Sequence, residues 1–408
     1  MASRAIVFAF VLSAIVVGFG SATYRAEAAT KPKTPALEVS GWLPYWRKAT
    51  STADALVHLS AFTEINPFGY TVKNDGTLND AMKIDEAPWP ELIAAAKAKK
   101  VRVIPTVMWS NGEAIHQILS NSTTRVALED AIAALVKEKG FDGIDIDFEG
   151  KKAETKPYFA TFLKGLYQRM GNKWVMCDIE ARTPVSSRYD GTPPPDAGVY
   201  ANDFVAINKY CDRVHIMTYD QGSIDVKLTK AANGTPYVPV ADPKWVEKVV
   251  NLAAQTISKK KIVIGVATYG YEYKVTPLLE YGYKYELQWA FNQKYAFDII
   301  SQYQASVQRN SAGEMSFTYI PNVLPSPSVA ANTDPTLNLV PVATTSYSDG
   351  STAPANPAVA SFNVLWWSDA KAIQDKIALA KKLGVRGIAI FKIDGGEDPS
   401  LWDVLKKI

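Results

Sequence analysis

Cysteine and histidine are scarce in this 408-residue chain: Cys177 and Cys211 are the only thiols, and His58, His116 and His215 the only imidazoles. Two cysteines cannot staple a small disulfide scaffold, although an oxidising compartment would permit one bridge. The sequence alone leaves their pairing open. No histidine stands at metal-ligand spacing from a cysteine or another histidine, which argues against a metalloenzyme. An excess of charge of one sign is also lacking. Lys+Arg 44 against Asp+Glu 41 leaves a net +3, too little to draw a nucleic acid. No Gly-x-Gly-x-x-Gly follows a strand-like run, so a nucleotide-binding open sheet is disfavoured.

Long apolar runs are missing except at the start. Arg4 supplies a positive charge, residues 5–19 form an apolar run, and Ala26-Glu27-Ala28 offers a small-x-small cleavage site. Residues 1–28 therefore read as an export signal and 29–37 as a tether, which predicts a secreted, cell-surface or periplasmic protein. The run is short for a membrane span, but an uncleaved N-terminal anchor stays open; no other membrane contact is expected. With 47% hydrophobic and 21% charged residues the chain can bury a large core. Ten Trp and 20 Tyr suit either core packing or the stacking of sugar rings.

From residue 38 onward, strand-like runs alternate with helical patterns, as in repeated βα units. The runs lie at 38–45, 56–65, 101–108, 143–149, 174–180, 213–219, 261–268 and 387–393. Apolar spacing of three and four marks helices at 90–99, 123–139, 158–170 and 243–258, with Ser122 as N-cap of the second. Eight strands in this order predict a closed (β/α)₈ TIM barrel, with an open doubly wound sheet as the alternative. The rhythm breaks once. Residues 271–367 are expected to form a small α+β insertion lobe between the seventh and eighth strands, with a flexible loop at 320–358. The barrel then comprises 38–270 and 368–408.

The segment Phe141-Asp142-Gly143-Ile144-Asp145-Ile146-Asp147-Phe148-Glu149 carries the chemistry. Strand side chains alternate, so Asp145, Asp147 and Glu149 share one face and Ile144, Ile146 and Phe148 the other. An amphipathic strand with acids in water is the plain explanation. A parallel barrel, however, has helices outside and strands inside, so neither face is wet. Three acids would then line the lumen, and crowding would keep a proton on at least one. Glu149, nearest the C-terminal end, is best placed to deliver it to a leaving oxygen.

Asp142-x-x-Asp145-x-Asp147-x-Glu149 resembles the signature of glycoside hydrolase family 18, which includes chitinases, endo-β-N-acetylglucosaminidases and spore-cortex and cell-wall lytic enzymes. Met217-x-Tyr219-Asp220 is similar to that family's sixth strand and Gly265-Val266-Ala267-Thr268-Tyr269-Gly270 to its seventh. Trp42-Leu43-Pro44-Tyr45-Trp46 and Asn66-Pro67-Phe68 resemble the first two strands of its spore-germination and cell-wall branch.

The resemblance implies a retaining hydrolase of β-1,4-linked N-acetylglucosamine-containing glycans that uses the substrate's own acetamido group. Glu149 would be the acid and base, Asp147 would hold the acetamido N–H, and Asp145 would share a proton with Asp147. Tyr219 would bind the acetamido carbonyl. Asp220, Met217, Phe391, Trp46, Tyr45 and Tyr269 would line the sugar site, while Asp142 and Gly143 would be structural. No metal or organic cofactor is implied, and a monomer is expected. Two departures stand out. Phe391 occupies a position where the family usually has Trp, and Met108-Trp109-Ser110-Asn111-Gly112 replaces the Ser-x-Gly-Gly of many chitinases, which favours a cell-wall enzyme. The rivals are a lectin-like barrel that binds sugar without turnover and a calcium-binding structural protein; alternating strand acids diverge too little to wrap six to eight oxygens around one calcium ion.

Overall fold

A computed structural model describes residues 37–278, 282–321 and 361–408. The expected export signal, the tether to residue 36, and residues 322–358 of the expected flexible loop lie outside the described residues. The principal strands in chain order are β1 (Glu38–Pro44), β2 (Glu64–Val72), β3 (Thr106–Trp109), β4 (Gly143–Phe148), β5 (Trp174–Glu180), β6 (Arg213–Met217) and β7 (Ile262–Ala267). There follow β8 (Gly270–Pro277), β9 (Tyr283–Phe291), β10 (Met315–Tyr319), β11 (Phe362–Trp367) and β12 (Gly387–Phe391).

Strands β1 to β7 and β12 pair in parallel and close on themselves, because β1 bonds to both β2 and β12. The result is a (β/α)₈ barrel. Helices Trp89–Ala98, Ser122–Lys139, Lys156–Met170, Pro243–Ala253 and Ala370–Leu383 cover its outside. Their buried stripes, such as Phe159, Phe162, Leu163 and Leu166, pack on outward residues such as Ile146 and Phe148 in one continuous apolar core. Between β7 and β12, the antiparallel order β9-β8-β11-β10 and helix Gln293–Tyr303 form the α+β insertion. Among the described residues no helix is long and apolar enough to cross a membrane.

Three sequence expectations fail locally. The run at 56–65 is not a strand: helix Lys48–His58 and a 3₁₀ turn Leu59–Ala61 occupy most of it, and β2 starts at Glu64. Leu59 and Phe62 are buried because they anchor the helix end on the barrel, and a dense apolar run cannot distinguish that from a strand. Asn121, not Ser122, caps the helix Ser122–Lys139; its longer side chain accepts from Thr123 N at 2.9 Å. The third strand is also interrupted, with Arg102–Val103 and β3 separated by Ile104-Pro105.

The two cysteines form a disulfide that ties β5 to the end of helix Phe204–Tyr210. The bottom of the barrel is closed by charge. Glu38, first residue of β1, accepts from Arg213 at 2.5 and 2.8 Å and from Arg386 at 2.6 Å. Arg102 lies 2.8 Å from Glu64 and 3.8 Å from Glu38. The indole of Trp174 sits between the guanidinium groups of Arg102 and Arg213, at 4.8 and 4.9 Å. Burial alone would raise the Glu38 pKa, but hydrogen bonds from Arg213 and Arg386 outweigh it and lower it from 4.5 to about 2. That stabilisation is complete above about pH 4.5 and is lost as pH falls toward 2. Glu38→Gln should therefore cost about 3 kcal/mol at pH 7, with the difference from wild type shrinking between pH 5 and pH 3. Urea unfolding at several pH values measures this, and a pH-independent difference would contradict it.

Candidate active site

The C-terminal ends of the barrel strands carry the polar residues. Strand β4 is enclosed along its length, so its inward acids meet other strands, and the register sets their partners: Asp145 lies opposite Thr106 of β3, and Asp178 of β5 opposite His215 of β6. At the lowest level Asp145 Oδ2 accepts from Trp42 Nε1 at 2.9 Å and Thr106 Oγ1 at 2.8 Å. His215, wholly buried, places Nδ1 2.9 Å from Asp178 and 3.5 Å from Asp145, with Nε2 3.5 Å from Glu64. Burial opposes a charged imidazole, yet the carboxylates of Asp145, Asp178 and Glu64 around it hold the His215 pKa well above its usual value. Burial likewise disfavours the Asp145 anion, but hydrogen bonds from His215, Trp42 and Thr106 prevail and lower its pKa. Burial and the neighbouring Asp145 charge push the Asp178 pKa well above the carboxylate range.

Ligand-type atoms of Asp145, Asp178 and His215 lie within 4.8 Å of one another, close enough for a metal ion. The raised His215 pKa favours the protonated imidazole, which has no lone pair to offer a metal. Hydrogen bonds from that imidazolium account for the cluster.

Above this layer, Asp147 is buried, and its Oδ1 has no hydrogen-bond partner among the described residues. Burial, then the charges of Glu149, Asp178 and Asp145, push its pKa well above the carboxylate range. Glu149 tops the row, partly exposed and hydrogen-bonded to Asp147. Burial and the nearby Glu180 raise its pKa from 4.5 to about 7. The sequence expectation that crowding leaves a proton on these acids thus applies to Asp147 and Glu149, whereas Asp145 moves the other way.

Across the mouth, Tyr219 and Asp220 follow β6. The Tyr219 ring stacks on Phe391 with centroids 5.7 Å apart and planes 18° apart. Gly265 of β7 makes room for it, since a Cβ there would stand 2.8 Å from Tyr219 Cε1 and 2.6 Å from the Ile216 carbonyl oxygen. Asp220 has a left-handed backbone, φ 59°, which Asp tolerates better than most residues. Its Oδ1 accepts from the hydroxyls of Tyr269 and Tyr271, both at 2.6 Å.

Tyr269 itself is buried, so it orients Asp220 from beneath the surface of the cleft. Met217 and Phe391 are half-buried and pack into the aromatic cluster with Tyr219, Tyr269 and Tyr271. Trp46 stands edge-on to Phe68 at 5.7 Å and to Tyr45 at 5.2 Å, on the rim beyond β1. Asp142 lies below the row, where its carboxylate accepts from Val103 N at 2.8 Å, and Gly143 passes where a Cβ would strike the Trp174 carbonyl.

Sequence reasoning missed His215, Asp178, Glu180 and Lys151. The run Met176-Cys177-Asp178-Ile179-Glu180 shows the same alternation of acids as β4, a signal that was available. His215 gave no such signal, because its role exists only once β2, β4 and β5 are brought around it.

A family model described as "Glycosyl hydrolases family 18" matches residues 38–396. A Bacillus subtilis (strain 168) protein named "Uncharacterized glycosylase YvbX" is 23% identical over 334 residues, covering 79% of each chain. The fold is similar to that of a chitinase from Chromobacterium violaceum, with TM-score 0.64, 18% identity, and 91% of this chain and 98% of that one covered. It is also similar to the Bacillus megaterium spore cortex-lytic enzyme SleL, with TM-score 0.63, 21% identity, and 92% and 75% covered.

Gly265→Ala tests the packing of this mouth. The new methyl meets backbone on one side and the Tyr219 ring on the other, so it should destabilise the fold by about 1–3 kcal/mol and push Tyr219 off Phe391. Thermal unfolding and near-ultraviolet circular dichroism read the two effects; an unchanged melting temperature would contradict the fit described.

Proposed function

The chain belongs to glycosyl hydrolase family 18 and is a glycosidase, and from that premise we propose that it is a retaining hydrolase of β-1,4-linked N-acetylglucosamine-containing glycans, with Glu149 as general acid and base. The observation that carries this reading is Glu149 itself. It is open to the cleft, stands over Asp147, and its carboxyl is raised to about 7, so it holds a proton in the range where a leaving sugar needs one.

In the proposed reaction the substrate's 2-acetamido oxygen attacks the anomeric carbon as the glycosidic C–O bond breaks, and the Glu149 proton goes to the leaving oxygen. The resulting Glu149 carboxylate then takes a proton from water, whose oxygen attacks the same carbon. That opens the oxazolinium ring and restores the starting acid, with configuration retained. Asp147 would hold the acetamido N–H and offset the positive charge developing on the ring. Asp145 would share a proton with Asp147 and so let it turn between partners; the unpartnered Asp147 Oδ1 leaves room for that exchange. Tyr219 would donate to the acetamido carbonyl, with Asp220 beside the same sugar and Phe391 as its apolar floor.

Chitin, chitooligosaccharides and peptidoglycan all contain the required sugar. Met108-Trp109-Ser110-Asn111-Gly112 at the third strand, and the similarity to a spore cortex-lytic enzyme, favour peptidoglycan. Work outside the cytoplasm is supported by the apolar start of the chain and by the disulfide, which oxidising compartments permit.

Hydrolysis of chromogenic chitobiose and release of reducing ends from peptidoglycan test the proposal, with products identified by mass spectrometry. Glu149→Gln should lower kcat by on the order of 10²–10⁴ while sugar binding persists, and Tyr219→Phe should cost about 2–3 kcal/mol in kcat/KM. Since the protonated acid is the working form, wild-type kcat/KM should hold below pH 7 and fall roughly tenfold per pH unit above it. Wild-type rates in the Glu149 variant would overturn the assignment, and binding without product from either substrate would make the protein a lectin.

A further inference from the structure

The mouth holds a second glutamate that the proposed reaction does not use. Glu180 ends β5, and the parallel register that sets Ile146 opposite Cys177 continues to bring it beside Glu149. Its carboxylate is fixed from two directions. Asn202, buried, donates Nδ2 to Oε2 at 2.5 Å, and Lys151 Nζ lies 3.6 Å from Oε1. The Lys151 side chain is 0% exposed and sits 4.8 Å over the Phe159 ring, whereas Glu180 is 40% exposed. An ammonium enclosed in this way needs a counter-charge. Glu180 is its ion-pair partner among the described residues.

Glu149 is therefore faced by a fixed anion from β5, by Lys151 from the turn after its own strand, by Asp147 beneath it, and by Tyr219 and Asp220 from the end of β6. We propose that Glu180, held as an anion by Lys151 and Asn202, is a positioning residue that keeps the proton on Glu149 through the neutral range. This rests on the reading of Glu149 as the general acid. Like charges side by side disfavour ionisation of the second group, and the first is committed because it balances Lys151. After burial, Glu180 is the largest influence raising the Glu149 pKa, and Lys151 only partly offsets it. Glu180 itself is lowered, burial being outweighed by Lys151 and Asn202. The pair thus acts through Glu149 without touching the bond that breaks.

The test is the pH dependence of kcat/KM, from pH 5 to 9, on chromogenic chitobiose or peptidoglycan. Glu180→Gln should move the alkaline limb down by about one pH unit, giving a loss approaching tenfold above the limb and little below pH 6. Glu180→Asp keeps the charge and should recover at least half of the displacement. Because Glu180→Gln leaves Lys151 buried without a counter-charge, the double variant Lys151→Met/Glu180→Gln guards against misfolding and should displace the limb in the same direction by less. Folded variants with an unmoved limb, or with an equal loss at every pH, would overturn this inference while an inactive Glu149→Gln left the general acid in place. An active Glu149→Gln would overturn both.

Discussion

Closure of the parallel barrel is the constraint on which the site depends. It denies every strand a wet face, so an acid placed on the inward side of β4 or β5 must find a cation, keep its proton, or reach the mouth. Asp145 finds His215, Asp147 and Asp178 are driven toward their protonated forms, and Glu149 reaches the mouth. The chemistry at the C-terminal rim is the upper end of a column of charge whose lower members are already settled.

The two ends of the barrel show how far the partner, and not the residue type, decides what a glutamate does. Glu38 and Glu149 both lie at the ends of enclosed strands. Arg213 and Arg386 hydrogen-bond the first, and Arg102 is nearby, so it is driven to about 2. The second has Lys151 in reach, but Glu180 stands beside it, and it rises to about 7. A glutamate tied into arginines braces the floor; one crowded by another carboxylate can give and take a proton near neutrality.

Much of this was legible beforehand, and the failures have physical causes. The alternation in Asp145-Ile146-Asp147-Phe148-Glu149 is a strict period of two, and a one-residue slip would turn the acids onto the helix layer and the apolar set into the lumen, so the two faces followed from the pattern. The α+β insertion was visible as a break in rhythm at residue 271. The apolar run at 56–65 was misread because helix-end residues such as Leu59 and Phe62 are as buried as strand residues. Lys151 and Asn202 were illegible for another reason: each meets Glu180 only through the joining of separate strands and turns, and neither stands in a periodic run. Phe391 was placed at the mouth by its strand, but its stacking on Tyr219 depends on Gly265, a position whose lack of a side chain carries meaning only in three dimensions.

The insertion also bears on the chemistry. Its first strand begins at Gly270, and Tyr269 and Tyr271 on either side both donate to Asp220, so the root of the lobe fixes a carboxylate of the mouth. Farther out, the buried Glu314 accepts from Val240 N at 2.8 Å, Ala241 N at 2.9 Å and Trp366 Nε1 at 2.7 Å, and lies 3.1 Å from Lys376. One carboxylate thereby joins the loop before helix Pro243–Ala253, strand β11 and helix Ala370–Leu383. A carboxylate with that many donors has little freedom, and removing any one of them would leave a buried charge short of a partner. The lobe is held to the barrel by the same rule that organises the lumen: a buried charge fixes whatever satisfies it. At the floor that rule gives stability, at the mouth a poised proton, and in the lobe a fixed joint with the barrel.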